Sequence, residues 1–213
     1  VYWNIDSCLR AARTLRRHVR PQARILFGGV QVSSRTYVDE LLTCHPELDF
    51  VIRGEGEQAL SALVSSLARG DDPAGSPGLS CRTAGGVMHG PDAHPLEDLD
   101  RIPPFFIPDN KILMQRSLAS PSLSYQSYRG CVHRCRYCAY PTGAIARHGL
   151  PRCEADLAFI LRALRPRFLR ILDAHLGGTR ERAMALLEIL AQHNRGTAVQ
   201  VFHEPSHMDD EYL

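Results

Sequence analysis

Short apolar runs that end in glycine or an acid alternate with stretches of helical periodicity along most of this chain. That alternation limits the fold more than any other feature. Strands separated by helices imply parallel pairing in a sheet covered by helical layers, an α/β architecture. Ile5, Cys8, Leu9, Ala12 and Leu15 recur at helical spacing, and Pro21 ends that helix. Arg24-Ile25-Leu26-Phe27 reads as a buried strand closed by Gly28-Gly29. Tyr37, Val38, Leu41 and Leu42 mark a short amphipathic helix with Ser33 or Ser34 available as its cap. Phe50-Val51-Ile52 is a second strand closed by Gly54, and Leu60, Leu63, Val64 and Leu67 form the next helical face.

Residues 70–78 are rich in Gly, Pro, Asp and Ser and read as a loop. Residues 79–89 suit a hairpin turning at Gly85-Gly86. Pro91 to Pro121 holds six prolines and few periodic apolar residues, the pattern of an interdomain linker. The chain thus divides into a first domain at 1–90, a linker at 91–121 and a second domain at 122–213. The second domain repeats the α/β pattern. Ser122 to Tyr128, Phe168 to Asp173 and Val199 to Glu204 read as strands. Leu157, Ile160, Leu161 and Leu164 mark one helix; Ala183, Leu187 and Leu190 mark another, capped by Thr179. Three strand–helix beginnings are too few to close a barrel, so the expectation is a fragment cut at both ends.

The cysteines bring chemistry into that frame. Seven occur among 213 residues, and three crowd into Arg129-Gly130-Cys131-Val132-His133-Arg134-Cys135-Arg136-Tyr137-Cys138. An odd, clustered set does not resemble a secreted disulfide framework and suits a reducing cytoplasm with a metal site. Thiolates are soft ligands that favour iron–sulfur clusters or zinc. Three ligands on a four-iron cubane leave one iron open. Zinc needs a fourth ligand, and neither His133 nor His148 supplies the paired spacing of a finger. Three free thiols in a turn is the purely structural alternative. A net charge of +2 is too mild to imply nucleic acid or an acidic membrane surface, and no stretch approaches a membrane span.

The Cys-x₃-Cys-x-aromatic-Cys loop, with Tyr137 as the aromatic and Arg129-Gly130 before it, resembles the signature of radical S-adenosylmethionine enzymes. The resemblance implies a [4Fe–4S] cluster on Cys131, Cys135 and Cys138. S-adenosylmethionine would chelate the open iron, and its reductive cleavage would yield a 5′-deoxyadenosyl radical. It also implies a partial TIM barrel, with Tyr137, Asp173 and Glu204 in the S-adenosylmethionine pocket. Asp173 and Glu204 end strands, where barrel carboxylates face the active site. His175 and Gly177-Gly178 lie nearby, but the family's usual glycine-rich segment is not cleanly present.

The first domain resembles the cobalamin-binding, Rossmann-like domain that precedes many of these enzymes. The matching stretches are Tyr2-Trp3-Asn4, Leu26 to Ser33 and Phe50 to Glu57, with Leu96 to Pro103 similar to the linker of that group. Gly28, Gly29, Gly54, Glu55 and Gly56 would then meet cobalamin. The fold expected is a partial parallel sheet of this type followed by the first βα units of a radical S-adenosylmethionine barrel.

The activity implied is methyl transfer from methylcobalamin to an unreactive carbon. Alternatives are a cobalamin-linked rearrangement or ring-forming reaction without net methylation, and a non-catalytic iron–sulfur electron-transfer protein. A tRNA methylthiotransferase would share the cysteine loop, but its leading domain brings three further cluster cysteines, and Cys8, Cys44 and Cys81 lack the expected surroundings. The implied partners are a small-molecule or peptide substrate and an electron donor such as flavodoxin or ferredoxin, in the cytoplasm, without nucleic acid or membrane.

Overall fold

Proline and glycine punctuate the elements where the sequence places them. The computed structural model describes residues 4–110, 121–133, 135–138, 140 and 145–203. Two compact units result, Val1–Pro95 and Leu96–Leu213.

In the first unit α1 (Ile5–Thr14) widens into a π-helical turn over Leu15–Val19, and Arg20 leaves helical geometry before Pro21. A residue preceding proline is pushed out of the α region, which gives the stop its cause. The strands are β1 (Leu26–Phe27), β2 (Phe50–Ile52), β3 (Leu79–Thr83) and β4 (Gly86–His89), in the order β1-β2-β3-β4. β1 and β2 are parallel, with Leu26 opposite Phe50. The expected hairpin forms, and it adds two antiparallel pairings to the sheet.

Between the strands run α2 (Arg35–Cys44) and α3 (Glu57–Arg69). Ser34 stands at the α2 N-cap position, but its hydroxyl makes no cap bond; the Ser33 hydroxyl donates instead to the Val30 carbonyl at 3.1 Å. α3 ends at Gly70 in the left-handed region. There the amides of Gly70 and Asp71 donate to the carbonyls of Leu67 and Ser66, which satisfies two orphan acceptors of the last turn. Leu9, Val38, Leu42, Leu48 and Val51 fill the core on one side, and Phe50, Ile52, Leu63 and Leu79 fill it on the other.

The second unit holds a parallel sheet of β5 (Ser122–Tyr125), β8 (Phe168–Ile171) and β9 (Ala198–Gln200), in the order β5-β8-β9. Between β5 and β8 lie a two-residue antiparallel pair, β6 (Tyr128–Arg129) with β7 (Ala146–Arg147), and α4 (Leu150–Phe159). α4 passes into a π-helical turn that Arg165 closes in the left-handed region, directly before Pro166. α5 (Arg180–His193) joins β8 to β9, and the Thr179 hydroxyl accepts from the Arg182 amide as its cap. Leu157, Ile160, Leu161, Leu169, Ile171 and Leu186 are all but sealed from solvent. Each such side chain contributes roughly 1.5–3 kcal/mol by its burial.

Leu96 to Ile102, which the sequence places in a linker, packs through Leu96, Leu99 and Ile102 against Ala146. Among the described residues no helix is long and apolar enough to cross a membrane.

Candidate functional site

Each unit presents its candidate residues at the carboxyl ends of parallel strands, the edge where open α/β sheets take their ligands. In the first unit Leu26, Gly28, Gly29, Ile52, Gly54, Gly56, Glu57 and Leu60 line a groove of about 390 Å³. Residues from two strand ends thus share one cavity, as the glycine positions lead one to expect. A Cβ at Gly29 or Gly54 would meet nothing within 4 Å, and a Cβ at Gly28 or Gly56 would touch only Ile52, at 3.8 and 3.9 Å. Gly29 and Gly54 also have φ of 113° and 75°, which L side chains rarely adopt. The bare backbone and the open space suit close approach by a bulky cofactor tail. Glu55 is half-buried and is not among the groove's lining residues.

A polar chain anchors this edge. The buried guanidinium of Arg53, just before Gly54, donates to Ser80 Oγ at 3.0 Å, to the Gly90 carbonyl at 2.6 Å and to Asp92. Ser80 Oγ in turn meets His89 Nδ1, and His89 Nε2 meets Asp39, both at 2.8 Å. Hydrogen bonds from Arg53 and then Arg35 hold the Asp92 carboxyl below the usual carboxylate range. Arg53 satisfies its charge within the fold, so the turn at Gly54 is tied to the hairpin.

In the second unit the chain leaves β5, forms β6 and enters the cysteine loop through Gly130, whose φ is 93°. Cys131 is half-buried, while Cys135 and Cys138 are exposed. The Cys138 amide donates to the Cys135 carbonyl at 3.1 Å, and the Tyr140 amide approaches Cys138 Sγ at 3.5 Å. Tyr137 is 92% exposed. Among the described residues no group of three His, Cys, Asp or Glu is placed to hold a metal ion. The donor set still fits an iron–sulfur cluster: three soft ligands, two open to solvent, on one short segment. Burial pushes the thiols of Cys81 and Cys153 up, which disfavours the thiolate a ligand must supply.

Asp173 follows β8 and is buried. Both its oxygens serve the chain itself. Oδ1 accepts from the amides of Ser127 at 2.7 Å and Tyr128 at 3.3 Å. Oδ2 accepts from Ser127 Oγ at 2.6 Å and the Gly177 amide at 3.1 Å. Glu204, Tyr2 and Trp3 lie outside the described residues.

The sequence reading named His133 and His175 around the loop but passed over the Tyr128 hydroxyl and Arg182. The buried Tyr128 hydroxyl, pushed up to about 12 chiefly by burial, stays protonated and accepts from the His175 amide at 3.1 Å. The His175 ring packs 5.2 Å from His133 of the cysteine loop and 6.2 Å from His203 beyond β9, so the loop reaches the carboxyl ends of the neighbouring strands. Arg182 Nη2 faces the carbonyls of His148 at 2.6 Å and Ser127 at 3.4 Å. Its place one turn into a capped helix was legible; the direction of its side chain was not.

The chain thus holds an α/β unit with a mixed sheet and a glycine-lined groove, and a parallel βα unit bearing a three-cysteine loop. No family model matches the chain. An anaerobic magnesium-protoporphyrin IX monomethyl ester cyclase of Rubrivivax gelatinosus is 30% identical over 146 residues, which cover 61% of this chain and 24% of the relative. A 2-(S-pantetheinyl)-carbapenam-3-carboxylate methyltransferase of Streptantibioticus cattleyicolor is 28% identical over 157 residues, 68% of this chain and 21% of the relative. Among solved structures, the radical S-adenosylmethionine methyltransferase TsrM of Kitasatospora setae superposes with a TM-score of 0.72 at 19% identity, over 98% of this chain and 42% of TsrM. That identity speaks to the fold. The relatives include the cobalamin-dependent radical SAM methyltransferase TokK of Streptomyces tokunonensis, the structural neighbours include the cobalamin-dependent S-adenosylmethionine radical enzyme OxsB, and the chain covers only part of each. Its matches span from 21% to 26% of the curated relatives' length.

Proposed function

We propose that this chain belongs to a cobalamin-dependent radical S-adenosylmethionine enzyme that transfers a methyl group to an unreactive carbon. The observation that carries the reading is the pairing of two sites in one chain: a glycine-lined groove at the carboxyl ends of β1 and β2, and a three-cysteine loop at the carboxyl end of β5. Cys131, Cys135 and Cys138 would hold the [4Fe–4S] cluster, which with S-adenosylmethionine bound supplies one-electron cleavage of the sulfonium.

The protein's own residues position and shield. Tyr137, exposed beside Cys138, offers an aromatic face to an adenine. Glu204, four residues past β9 in the sequence, would add a carboxylate, and Asp173 would act on the pocket through the backbone it holds. Gly28, Gly29, Gly54 and Gly56 would let the cobalamin tail approach the backbone, with Leu26, Ile52 and Leu60 as apolar walls, and Glu55 lies beside them in the same turn. The reading implies an electron donor such as flavodoxin or ferredoxin, a small-molecule or peptide substrate, and a reducing cytoplasm. TsrM, solved with a tryptophan substrate, supports the small-molecule class. The likeness to the magnesium-protoporphyrin cyclases favours one second reading, ring formation without net methylation.

The test is anaerobic reconstitution of the chain with iron and sulfide, with cobalamin supplied, followed by iron analysis and visible spectroscopy. One four-iron cluster and about one cobalamin per chain are expected. A chain that takes up zinc in preference to a cluster, or no cobalamin, would refute the corresponding half. Products of an extended protein with strong reductant would separate methylation from ring formation.

A further inference from the structure

The chain between Tyr128 and Arg147 carries all three cysteines and leaves the parallel sheet on a very narrow base. Among the described residues the ladder there is Tyr128 opposite Arg147 and Arg129 opposite Ala146, with a single bridge from Asp98 to Arg147. A two-stranded pair that short does not hold itself together in water. It is closed from outside. The His148 amide donates to the Ser127 carbonyl at 3.0 Å. Arg182, from the first turn of α5, directs Nη2 at the His148 carbonyl on one side of the neck and the Ser127 carbonyl on the other. Asp173 grips the outgoing strand through the Ser127 and Tyr128 amides and the Ser127 hydroxyl. Asp100 grips the returning strand, accepting from His148 Nδ1 and from the Gly149 amide, each at 2.9 Å.

We propose that Arg182, with Asp173, is a positioning residue for the cysteine loop: the two side chains lock its neck, so that the loop is held in register before any cluster is bound. This rests on the cluster reading of Cys131, Cys135 and Cys138. Neither residue touches a cysteine of that set. They act through Ser127 and His148, which stand at the two ends of the segment. The chemistry suits the task. Opposed carbonyls suit a cationic donor between them, and buried amides suit a carboxylate acceptor. Charge-assisted hydrogen bonds of this kind are the stronger ones. Both groups come from the βα unit of β8 and α5, so the neck is tied to that unit.

The test compares the full chain with Arg182→Met, which removes the donor, and Arg182→Lys, which keeps a cation. Amide hydrogen exchange is read first on cluster-free protein, then iron content and the electron paramagnetic resonance spectrum of the reduced cluster, with and without S-adenosylmethionine. Arg182→Met should speed exchange at residues 127–130 and 146–149 by at least about tenfold, the loss expected for one charge-assisted hydrogen bond. Amides of β8 and β9 should be unchanged. The same variant should bind less iron and lose the spectral shift on adding S-adenosylmethionine, and Arg182→Lys should restore part of both. Unaltered exchange at the neck, or a cluster with wild-type content and spectrum in Arg182→Met, would overturn the proposal. If wild type takes up no cluster, the cluster reading falls and the exchange pattern alone decides whether Arg182 locks the neck. If Arg182→Met does not fold, Ser127→Ala replaces it. That variant removes the hydroxyl donated to Asp173, and wild-type exchange at the neck amides would again be the refuting result.

Discussion

Replacing Gly28 with leucine should cost this chain its cobalamin and little of its stability. Gly28 lines the groove and is outside the left-handed region that Gly29 and Gly54 occupy. A Cβ there would stand 3.8 Å from the Ile52 carbonyl oxygen, an ordinary contact, so the backbone accepts the side chain. The groove measures about 390 Å³. Four added carbons fill on the order of a quarter of such a space at protein packing density. A cofactor tail would lose that share of the groove. The expected loss of cobalamin affinity is at least about tenfold, or about 1.4 kcal/mol. Stability should move by less than about 1 kcal/mol, since leucine lies against Leu26, Ile52 and Leu60 without leaving a cavity.

Gly29→Ala is the matched opposite. Its methyl would meet nothing within 4 Å, but φ at Gly29 is 113°. Strain in this glycine-only conformation should therefore cost roughly 1–3 kcal/mol while most of the groove stays open. Cobalamin retained after purification, read from its visible absorbance per chain, and the thermal midpoint by circular dichroism separate the two effects. Wild-type cobalamin content in Gly28→Leu would show that the groove does not hold the tail. A larger cobalamin loss in Gly29→Ala than in Gly28→Leu would show that conformation, not space, governs binding.

Three further outcomes are expected. Alanine at Cys131, Cys135 or Cys138 should abolish the reconstituted cluster, whereas alanine at Cys8, Cys44, Cys81 or Cys153 should leave iron per chain unchanged; a cluster surviving in Cys135→Ala would sink the ligand assignment. The Arg53 and Arg35 hydrogen bonds depress the folded pKa of Asp92, so its contribution is complete above the unfolded value of about 3.9 and is lost as pH falls through the lower folded value. Urea midpoints should therefore decline less steeply below about pH 4 in Asp92→Asn than in wild type, and parallel declines would contradict that linkage. Thr179→Ala should destabilise the second unit by about 0.5 kcal/mol, the low end for an N-cap because its bond to the Arg182 amide is 3.4 Å long; a loss above about 2 kcal/mol in urea titration would mean that Thr179 does more than cap.

Elements with strong local signals were readable one by one. Pro21 stops a helix by local sterics, and Thr179 caps α5 through a bond within its own turn. The strand at 50–52 shows itself as an apolar run because both its faces are buried, whereas 168–171 buries Leu169 and Ile171 on one face and leaves Arg170 exposed on the other. The Ser122 to Tyr128 run looked like one strand, yet it breaks after Tyr125: Ser127 and Tyr128 turn their amides to Asp173, and Tyr128 pairs with Arg147 instead of with β8. The hairpin at 79–89 was visible in its glycines, but its antiparallel attachment to β2 was not, since strand order is set by which apolar faces meet.

The cysteine spacing, the glycines after two strands and the α/β alternation are properties of neighbouring residues, and the sequence alone determined them. Tertiary structure decided how they are used. It gathered Gly28, Gly29, Gly54 and Gly56 around one groove by laying β1 parallel to β2. It turned the Asp173 carboxylate toward Ser127, 46 residues away, and aimed Arg182 at a carbonyl 55 residues distant. Such contacts arise only when β5 and β8 lie side by side, and no local preference of an aspartate or an arginine encodes which buried amides or carbonyls will be waiting there.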